Sequence, residues 1–280
     1  MKARGLSLIR QRSYQEQLEE ISLGMDTIAE NVFKLDACTT ALRSEDYKRG
    51  CRVLKYLTEE EAAKVLILMD YVRLPQGEQE ACSRQLRYFY DHFVRCLYAE
   101  TCNTLQPANW TEVCTWVEQS IPSLYLDGPN DVDWIFRNDL TERRETALYV
   151  DYVASDNDRR WYGPKLMDVV PDWDRPPLIT YLLGSMSSLG LFRIDMLRYI
   201  NEVWSCVAMT PEFPRSRIDE MSRSVVDKAL SLLPDRSEAH NRNANIVVDL
   251  WGFPLGQLDL NMVPIKESEL RLRQSMYDPS

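Results

Sequence analysis

The chain has few residues of the kinds that build metal and disulfide sites, and no long apolar run. It contains only two histidines in 280 residues, and its seven cysteines are scattered, with no Cys-x-x-Cys pair. A zinc site or a disulfide framework is therefore not expected, and we predict a protein without a metal or other cofactor. No apolar run approaches the roughly 20 residues of a membrane-spanning helix, so we also expect no membrane insertion.

Acidic residues outnumber basic ones, and the formal net charge is -10. This balance disfavours a broad, nonspecific nucleic-acid surface, because lysine and arginine supply phosphate contacts, but it allows a local basic pocket. The basic segment 1–12 is not followed by the apolar region and cleavage site of a secretory signal. We therefore expect a cytoplasmic protein whose cysteines are reduced thiols.

Apolar residues recur at helical spacing through the first 120 residues. The pattern predicts a first helix over 14–42 and a second that starts after Ser44, as its N-cap, and stops at Pro75. A third helix is predicted from Glu78 to about Asn103, and the fourth covers 110–120. Successive amphipathic helices with short connections indicate an antiparallel bundle.

The second half of the chain has a different sequence pattern, in which turn clusters, prolines and tryptophans separate the helical stretches. We predict an all-α fold in which residues 1–122 form the bundle and residues 123–280 pack on it as a helical extension, together making one composite domain. The expected elements of the extension are a turn at 127–131, a helix over 134–153, an irregular Pro/Trp-rich wrap over 161–177, helices over 178–208 and 217–233, and an extended C-terminal strap over 247–264.

The predicted second helix carries an acidic block next to Lys64. At about 100° per residue, Glu61 falls within the apolar stripe of this helix, so its carboxylate is predicted to face the core. A buried carboxylate must pair with a cation or become protonated. Both a structural ion pair and a role in a functional site fit this pattern.

The predicted third helix carries Arg84, Arg87, Asp91 and Arg95 at spacings of three and four residues, which place them on one polar face. Such a face is typical of a solvated helix surface. His92 lies at its border, and imidazole is the side chain best suited to proton transfer near neutral pH.

An Arg87-x4-His92 motif that follows a helix with Glu60-Glu61-x-x-Lys64 resembles the HEPN superfamily, and more narrowly the AbiV-type abortive-infection proteins. The segment 46–50 adds to this resemblance, which covers roughly residues 14–105. The implied fold is a HEPN-like helical bundle.

The resemblance implies a metal-independent endoribonuclease that acts as a toxin or phage-defence effector. Its catalytic residues would be His92, for proton transfer, and Arg87, for stabilising charge on the phosphate. The implied partners are RNA, a second copy of the chain in a homodimer, and an antitoxin or other defence-system protein. Supporting residues near the site would be Glu61, Lys64, Arg84, Asp91 and Arg95.

Geometry adds a condition to this hypothesis. Residues five apart on a straight helix point about 140° apart, so Arg87 and His92 reach one phosphate only if the helix is distorted or a two-fold mate completes the site. Two alternatives stay open. One is a non-catalytic interaction module in which the same residues form a buried polar network, and the other is a nucleotide-binding module without hydrolysis.

Three further features are interpreted as structural. His240 is predicted to be a surface or capping residue, and the segment 127–134 lacks the spacing of a calcium-binding EF-hand loop. The aromatic residues Trp161, Tyr162 and Trp173 are predicted to clamp an irregular segment onto the helices rather than to stack on RNA bases.

Overall fold

The computed structural model describes residues 5–43, 47–104, 106–123, 138, 140–141, 144, 148, 150–155, 158–162 and 176–264. These residues are mostly helical, which confirms the helical class. The helices are α1 (Tyr14–Ala41), α2 (Lys48–Arg73), α3 (Gln79–Tyr88), α4 (His92–Thr104), α5 (Trp110–Ser120), α6 (Leu178–Ser188), α7 (Ile194–Trp204), α8 (Arg215–Ser231) and α9 (Glu238–Leu250), with 3-10 turns at Leu6–Gln11 and Leu255–Gln257.

The first helix follows the sequence prediction closely. Ser13 caps α1 through a capping box with Glu16, which satisfies backbone N–H groups of the first turn. The tyrosine hydroxyl of Tyr71 on α2 donates to Gln17 near the start of α1, whereas the Cys51 thiol lies 3.6 Å from the Thr39 carbonyl near its end. The two helices therefore run antiparallel.

Helix α2 is the central helix of the fold. It packs against α1, α4, α6 and α7, and every side chain from Val65 to Arg73 is buried. A helix buried on all sides carries apolar residues around its whole circumference, as the run from Val65 to Met69 does. The predicted N-cap, Ser44, lies outside the described residues.

The predicted third helix is wrong in its continuity, because residues 89–91 divide it into α3 and α4. The side-chain amide of Gln85 on α3 donates to the hydroxyl of Tyr98 on α4 at 2.8 Å, and both helices pack on α2. The side chain of Asp91 accepts from the backbone N–H of Val94 at 3.1 Å and thereby caps α4. The Asp91 cap therefore favours the start of a new helix over continuation of α3.

The predicted helix over 178–208 is likewise two helices. Gly190 adopts a positive φ of 71°, a backbone conformation that ends helices and favours glycine. The chain turns there and α7 begins at Ile194. The predicted helix over 217–233 agrees with α8.

The structure contains short strands that the sequence analysis did not predict: β1 (Pro122–Ser123), β2 (Asp151–Ser155), β3 (Asp158–Tyr162) and β4 (Val263–Pro264). β2 and β3 pair as an antiparallel hairpin, so the predicted helix is wrong at 151–153 and the predicted irregular wrap is wrong at 161–162. β1 and β4 pair in parallel. Residues 140, 141, 144 and 148 of the same predicted helix are helical, as predicted. The expected turn at 127–131, the helix over 134–137 and the wrap over 163–175 lie outside the described residues.

The C-terminal strap is shorter than predicted, because residues up to Leu250 belong to α9. From Trp251 onward it crosses α2 and α3, where Gly256 lies close to Asp70 and Gln85. Trp251, Phe253, Leu255 and Leu260 are buried in one apolar core with residues of both halves of the chain. Among the described helices, none is long and apolar enough to cross a membrane.

Candidate functional site

His92 lies on the surface at the first residue of α4, where 77% of its side chain is exposed. Its Nδ1 is 2.8 Å from Oε2 of Glu60 on α2. A carboxylate only accepts hydrogen bonds, so this contact assigns the proton of the neutral imidazole to Nδ1 and leaves Nε2 free to accept one. The arrangement presents a proton acceptor to solvent.

Glu60 is held by two arginines as well as by His92. Its Oε2 lies 3.7 Å from Nη2 of Arg95, and its Oε1 lies 3.8 Å from Nη1 of Arg144. Only 14% of the Glu60 side chain is exposed, whereas the His92 imidazole extends from this cluster to the surface. The arginines fix the carboxylate that orients the imidazole.

A buried layer lies beneath this cluster. Nη2 of Arg144 donates to Oε2 of Glu59 at 3.2 Å, and Nη1 of Arg144 contacts the thiol of Cys96. Burial raises the pKa of Glu59, while the Arg144 guanidinium opposes that shift. Burial also raises the pKa of the Cys96 thiol to about 12, so this thiol stays protonated at neutral pH.

Arg87 lies on the last turn of α3 and is exposed, two residues before the break that separates α3 from α4. The break, and not a straight helix, therefore separates Arg87 from His92. Arg87 near the end of α3 and His92 at the start of α4 therefore flank the same break, and both side chains are exposed. The sequence hypothesis required such a distortion or a second subunit.

The supporting residues do not form the single polar face that the sequence predicts. Arg84 approaches the Gly256 carbonyl of the strap at 3.5 Å, Asp91 caps α4, and Arg95 is buried beside Glu60. The α3–α4 break changes the direction of the chain between Arg87 and Asp91, and this separates the residues that a continuous helix would align.

The prediction that Glu61 faces the core is wrong. Its side chain is 23% exposed and its Oε2 accepts from Nζ of Lys64 at 2.7 Å, while Lys64 lies over the Phe89 ring. Glu59 is the core-facing carboxylate of the block. Thr58 is buried and Leu57 is 45% exposed, so the buried face of α2 is rotated from the apolar stripe that the sequence suggests.

Sequence reasoning missed a second polar cluster under the strap. Asp70 Oδ1 accepts from Nη1 of Arg73 at 3.1 Å, and its Oδ2 accepts from the Tyr98 hydroxyl at 2.7 Å and the Gly256 N–H at 3.1 Å. Burial raises the pKa of Asp70 and lowers the pKa of Arg73 to about 10. Arg73 nonetheless remains charged at neutral pH.

One sequence signal could have revealed this cluster. Asp70 and Arg73 interrupt an apolar run at a spacing of three residues, which places them together on one side of α2. The contribution of Arg144 to the surface cluster had no such signal, because it comes from a distant part of the chain.

His240 occupies the third position of α9 and forms a capping box with Ser237, which confirms its predicted capping role.

The described residues contain no group of three or more histidine, cysteine or acidic side chains that could hold a metal ion. Trp161 lies in the β2–β3 hairpin and is 71% exposed, so the prediction that it clamps an irregular segment onto the helices is wrong at this residue. Trp173 lies outside the described residues.

Comparisons with known proteins give no relative for this chain: no family model, no curated protein and no solved structure matches it.

Proposed function

We propose that the protein is a metal-independent endoribonuclease of the HEPN type that cleaves RNA with Arg87 and His92. The observation that carries the proposal is the exposed imidazole of His92, whose Nδ1 lies 2.8 Å from the partly buried carboxylate of Glu60. A histidine oriented in this way has its second nitrogen available for proton transfer.

In the proposed reaction, Nε2 of His92 takes the proton from a ribose 2′-OH. The 2′-oxygen attacks the adjacent phosphorus, a bond forms between them, and the bond from phosphorus to the 5′-oxygen breaks. The imidazolium returns the proton to that 5′-oxygen. The products are a 2′,3′-cyclic phosphate and a 5′-hydroxyl, so neither water nor a metal ion is consumed or required.

Arg87 supplies the positive charge that the reaction needs. Its guanidinium is exposed at the end of α3, where its paired N–H groups can bind two phosphate oxygens as negative charge develops on them. His92 and Arg87 are exposed on the surface of one chain, and a homodimer in which two such surfaces face each other would enclose the RNA between them. The resemblance to HEPN proteins supports this assembly.

Glu60 takes the supporting role that the sequence analysis gave to Glu61. Its carboxylate holds the imidazole in one tautomer and stabilises the imidazolium that forms during the reaction. A Glu60→Gln variant is expected to lower kcat more than it raises KM and to shift the pH profile of cleavage. An unchanged pH profile would count against this positioning role.

The non-catalytic alternative requires Arg87 and His92 to lie in a buried network, and both are exposed. A role as a toxin or defence effector, with an antitoxin or other defence protein as a partner, rests on the family resemblance alone.

The test uses total RNA and purified protein in the presence of EDTA. The wild type is expected to leave 2′,3′-cyclic phosphate ends, and Arg87→Ala and His92→Ala should each abolish cleavage. If one site combines Arg87 of one chain with His92 of another, mixing the two inactive variants should restore part of the activity. Full cleavage by the His92→Ala variant would exclude the proposal.

A further inference from the structure

The β2–β3 hairpin presents a large aromatic residue to solvent. Trp161 is 71% exposed, although tryptophan is among the side chains that gain most from burial. Val150, directly before β2, is 57% exposed. Trp161 pairs with Tyr152 across the hairpin, and Val150 lies two residues before Tyr152. Because alternate residues of a strand share a face, both exposed residues lie on the face that also contains Tyr152.

Strand alternation separates the charges of the hairpin as well. Arg159 lies two residues before Trp161 and therefore shares its face, whereas Asp151, Asp158 and Arg160 alternate onto the opposite face. Within the two strands, the face of Trp161 thus carries one arginine and no acidic residue. We call this face, which consists of Tyr152, Ala154, Arg159 and Trp161, the aromatic face. Aromatic residues beside a cation match the bases and phosphates of a single-stranded nucleic acid.

The chain that leads into the hairpin connects it to the His92 surface. Arg144 lies 3.8 Å from Glu60, and the Leu148 carbonyl accepts from Nη2 of Arg49 on α2 at 3.4 Å. Glu60 and Arg49 are eleven residues apart on α2, which is about three turns, so they lie on one side of this helix about 16 Å apart. The first residue of β2 follows Arg144 by seven residues, a span of at most about 25 Å.

Arg49 places a positive charge where this segment enters the hairpin. The residue is exposed, and its guanidinium contacts a backbone carbonyl at 3.4 Å. A guanidinium has five N–H groups and this contact uses one of them, so Arg49 can also bind a phosphate.

We propose that the aromatic face binds single-stranded RNA, with a base stacked on Trp161 and a backbone phosphate bound by Arg49. A ring stacks on any base and an arginine binds any phosphate, so this binding does not depend on sequence. A strand held there would continue along α2 towards His92. The inference rests on the proposed function for its ligand, RNA, but it concerns binding and not cleavage.

The size of the aromatic face favours RNA over a protein partner. A stable protein interface buries about 800 Å² on each partner, which is more than one face of a two-stranded hairpin offers. Stacking of one base requires only the ring of Trp161. The arginine on the same face supplies the charge that a phosphate backbone needs and that an apolar interface does not.

The test measures binding without cleavage. A fluorescein-labelled single strand of fully 2′-O-methylated RNA lacks the nucleophile of the proposed reaction, and its anisotropy is followed as the full chain is added at low salt. The wild type is expected to bind this strand, and to bind a duplex of the same sequence more weakly, because paired bases cannot stack on Trp161. Absence of binding, or equal binding of the duplex, would overturn the proposal.

Variants at Trp161 identify the surface that binds. Trp161→Ala should weaken binding of the single strand by at least about fivefold, whereas Trp161→Phe keeps a ring and should retain most of the affinity. Leu23→Ala is the matched control, because Leu23 is 65% exposed and lies on α1. Equal affinities of Trp161→Ala and Leu23→Ala would overturn the proposal. A Trp161→Ala variant that changes only the sedimentation coefficient of the protein would mean that the face binds a second copy instead.

Arg49→Gln tests the phosphate contact. Loss of one contact to single-stranded RNA should lower the slope of log affinity against log salt concentration by about 0.7, and Trp161→Ala should leave this slope unchanged. An unchanged slope in Arg49→Gln would contradict the contact.

The outcomes separate this inference from the ribonuclease. Weaker binding by Trp161→Ala without RNA cleavage by the wild type would support the aromatic face and refute the ribonuclease. Cleavage by the wild type with unchanged affinity in Trp161→Ala would refute the aromatic face alone.

Discussion

Helix α2 carries two carboxylate–cation clusters ten residues apart, one around Glu60 and one around Asp70. Both clusters pair a carboxylate with cationic side chains, but they differ in their exposure to solvent. The strap from Trp251 onward lies over Asp70 and donates a backbone N–H to it, whereas the imidazole that contacts Glu60 is exposed to solvent. The comparison shows that the strap covers the cluster around Asp70 and leaves the imidazole beside Glu60 exposed to solvent.

The two clusters should therefore respond oppositely to substitution. Removing one member of a sealed cluster leaves a buried charge without a partner, which costs stability. Removal of an exposed imidazole leaves Glu60 with Arg95 and Arg144 nearby, so stability is retained. The predictions below test this contrast, from the largest expected loss of stability to the smallest.

The largest loss is expected for Arg73→Met. The variant leaves the carboxylate of Asp70 buried without its cation, which typically costs about 3–5 kcal/mol of unfolding free energy. Urea unfolding monitored by circular dichroism gives the value. The double variant Asp70→Asn with Arg73→Met removes both charges and should recover a large part of this loss, and no recovery would argue against a mutual pairing.

A smaller loss is expected for Gly256→Ala, which tests how closely the strap approaches the helices. A Cβ atom at Gly256 would lie 3.1 Å from Oε1 of Gln85 and 3.4 Å from Cβ of Asp70, both in the core. Overpacking of this kind costs about 1–3 kcal/mol. Gly77→Ala is the matched control, because its Cβ would meet nothing within 4 Å. Equal stabilities of the two variants would show that the contact is loose.

Tyr88→Phe should cost about 1–2 kcal/mol, because the hydroxyl accepts from the buried Leu260 N–H at 2.8 Å. Burial raises the pKa of Tyr88 to about 12, from about 10 in the unfolded chain. The folded protein thus holds this proton more tightly, and the corresponding stability is present below pH 10 and lost as the pH rises towards 12.

Chemical unfolding of the wild type and of Tyr88→Phe between pH 9 and 12 measures this contribution. The variant should lose less stability than the wild type over that range. Parallel curves would indicate that the Tyr88 hydroxyl titrates normally in the folded state.

The smallest effect on stability is expected for His92→Ala. The ring is largely exposed and its pair with Glu60 is close to the surface, where such pairs contribute about 0.2–1 kcal/mol. Urea unfolding of this variant should therefore nearly overlay that of the wild type. A loss as large as that of Arg73→Met would mean that the two clusters are equally structural.

The sequence predicted the helices well where a stripe of apolar residues and a cap coincide, as at α1 and α5. It failed where local signals compete. The apolar stripe continues past Tyr88, but the Asp91 side chain accepts a hydrogen bond from the first turn of a new helix, and a hydrogen bond between Gln85 and Tyr98 joins the two helices.

The role of Arg87 and His92, which their spacing suggested, stays a prediction. The choice of Glu61 as the core-facing carboxylate is wrong, because it depended on the exact rotation of α2, which packing on several neighbours determines. Arg144 joins Glu59 across a sequence separation of 85 residues. Contacts of that kind leave no periodic signal in the chain.

The most direct test of the central claim is the rate at which His92→Ala cleaves RNA in EDTA, relative to wild type at the same folded fraction. If the exposed imidazole is the proton acceptor, the rate should fall by about 100-fold or more, because general acid–base catalysis typically contributes 10²–10⁴. A folded His92→Ala protein that cleaves at the wild-type rate, or a wild type that does not cleave RNA, would contradict the account.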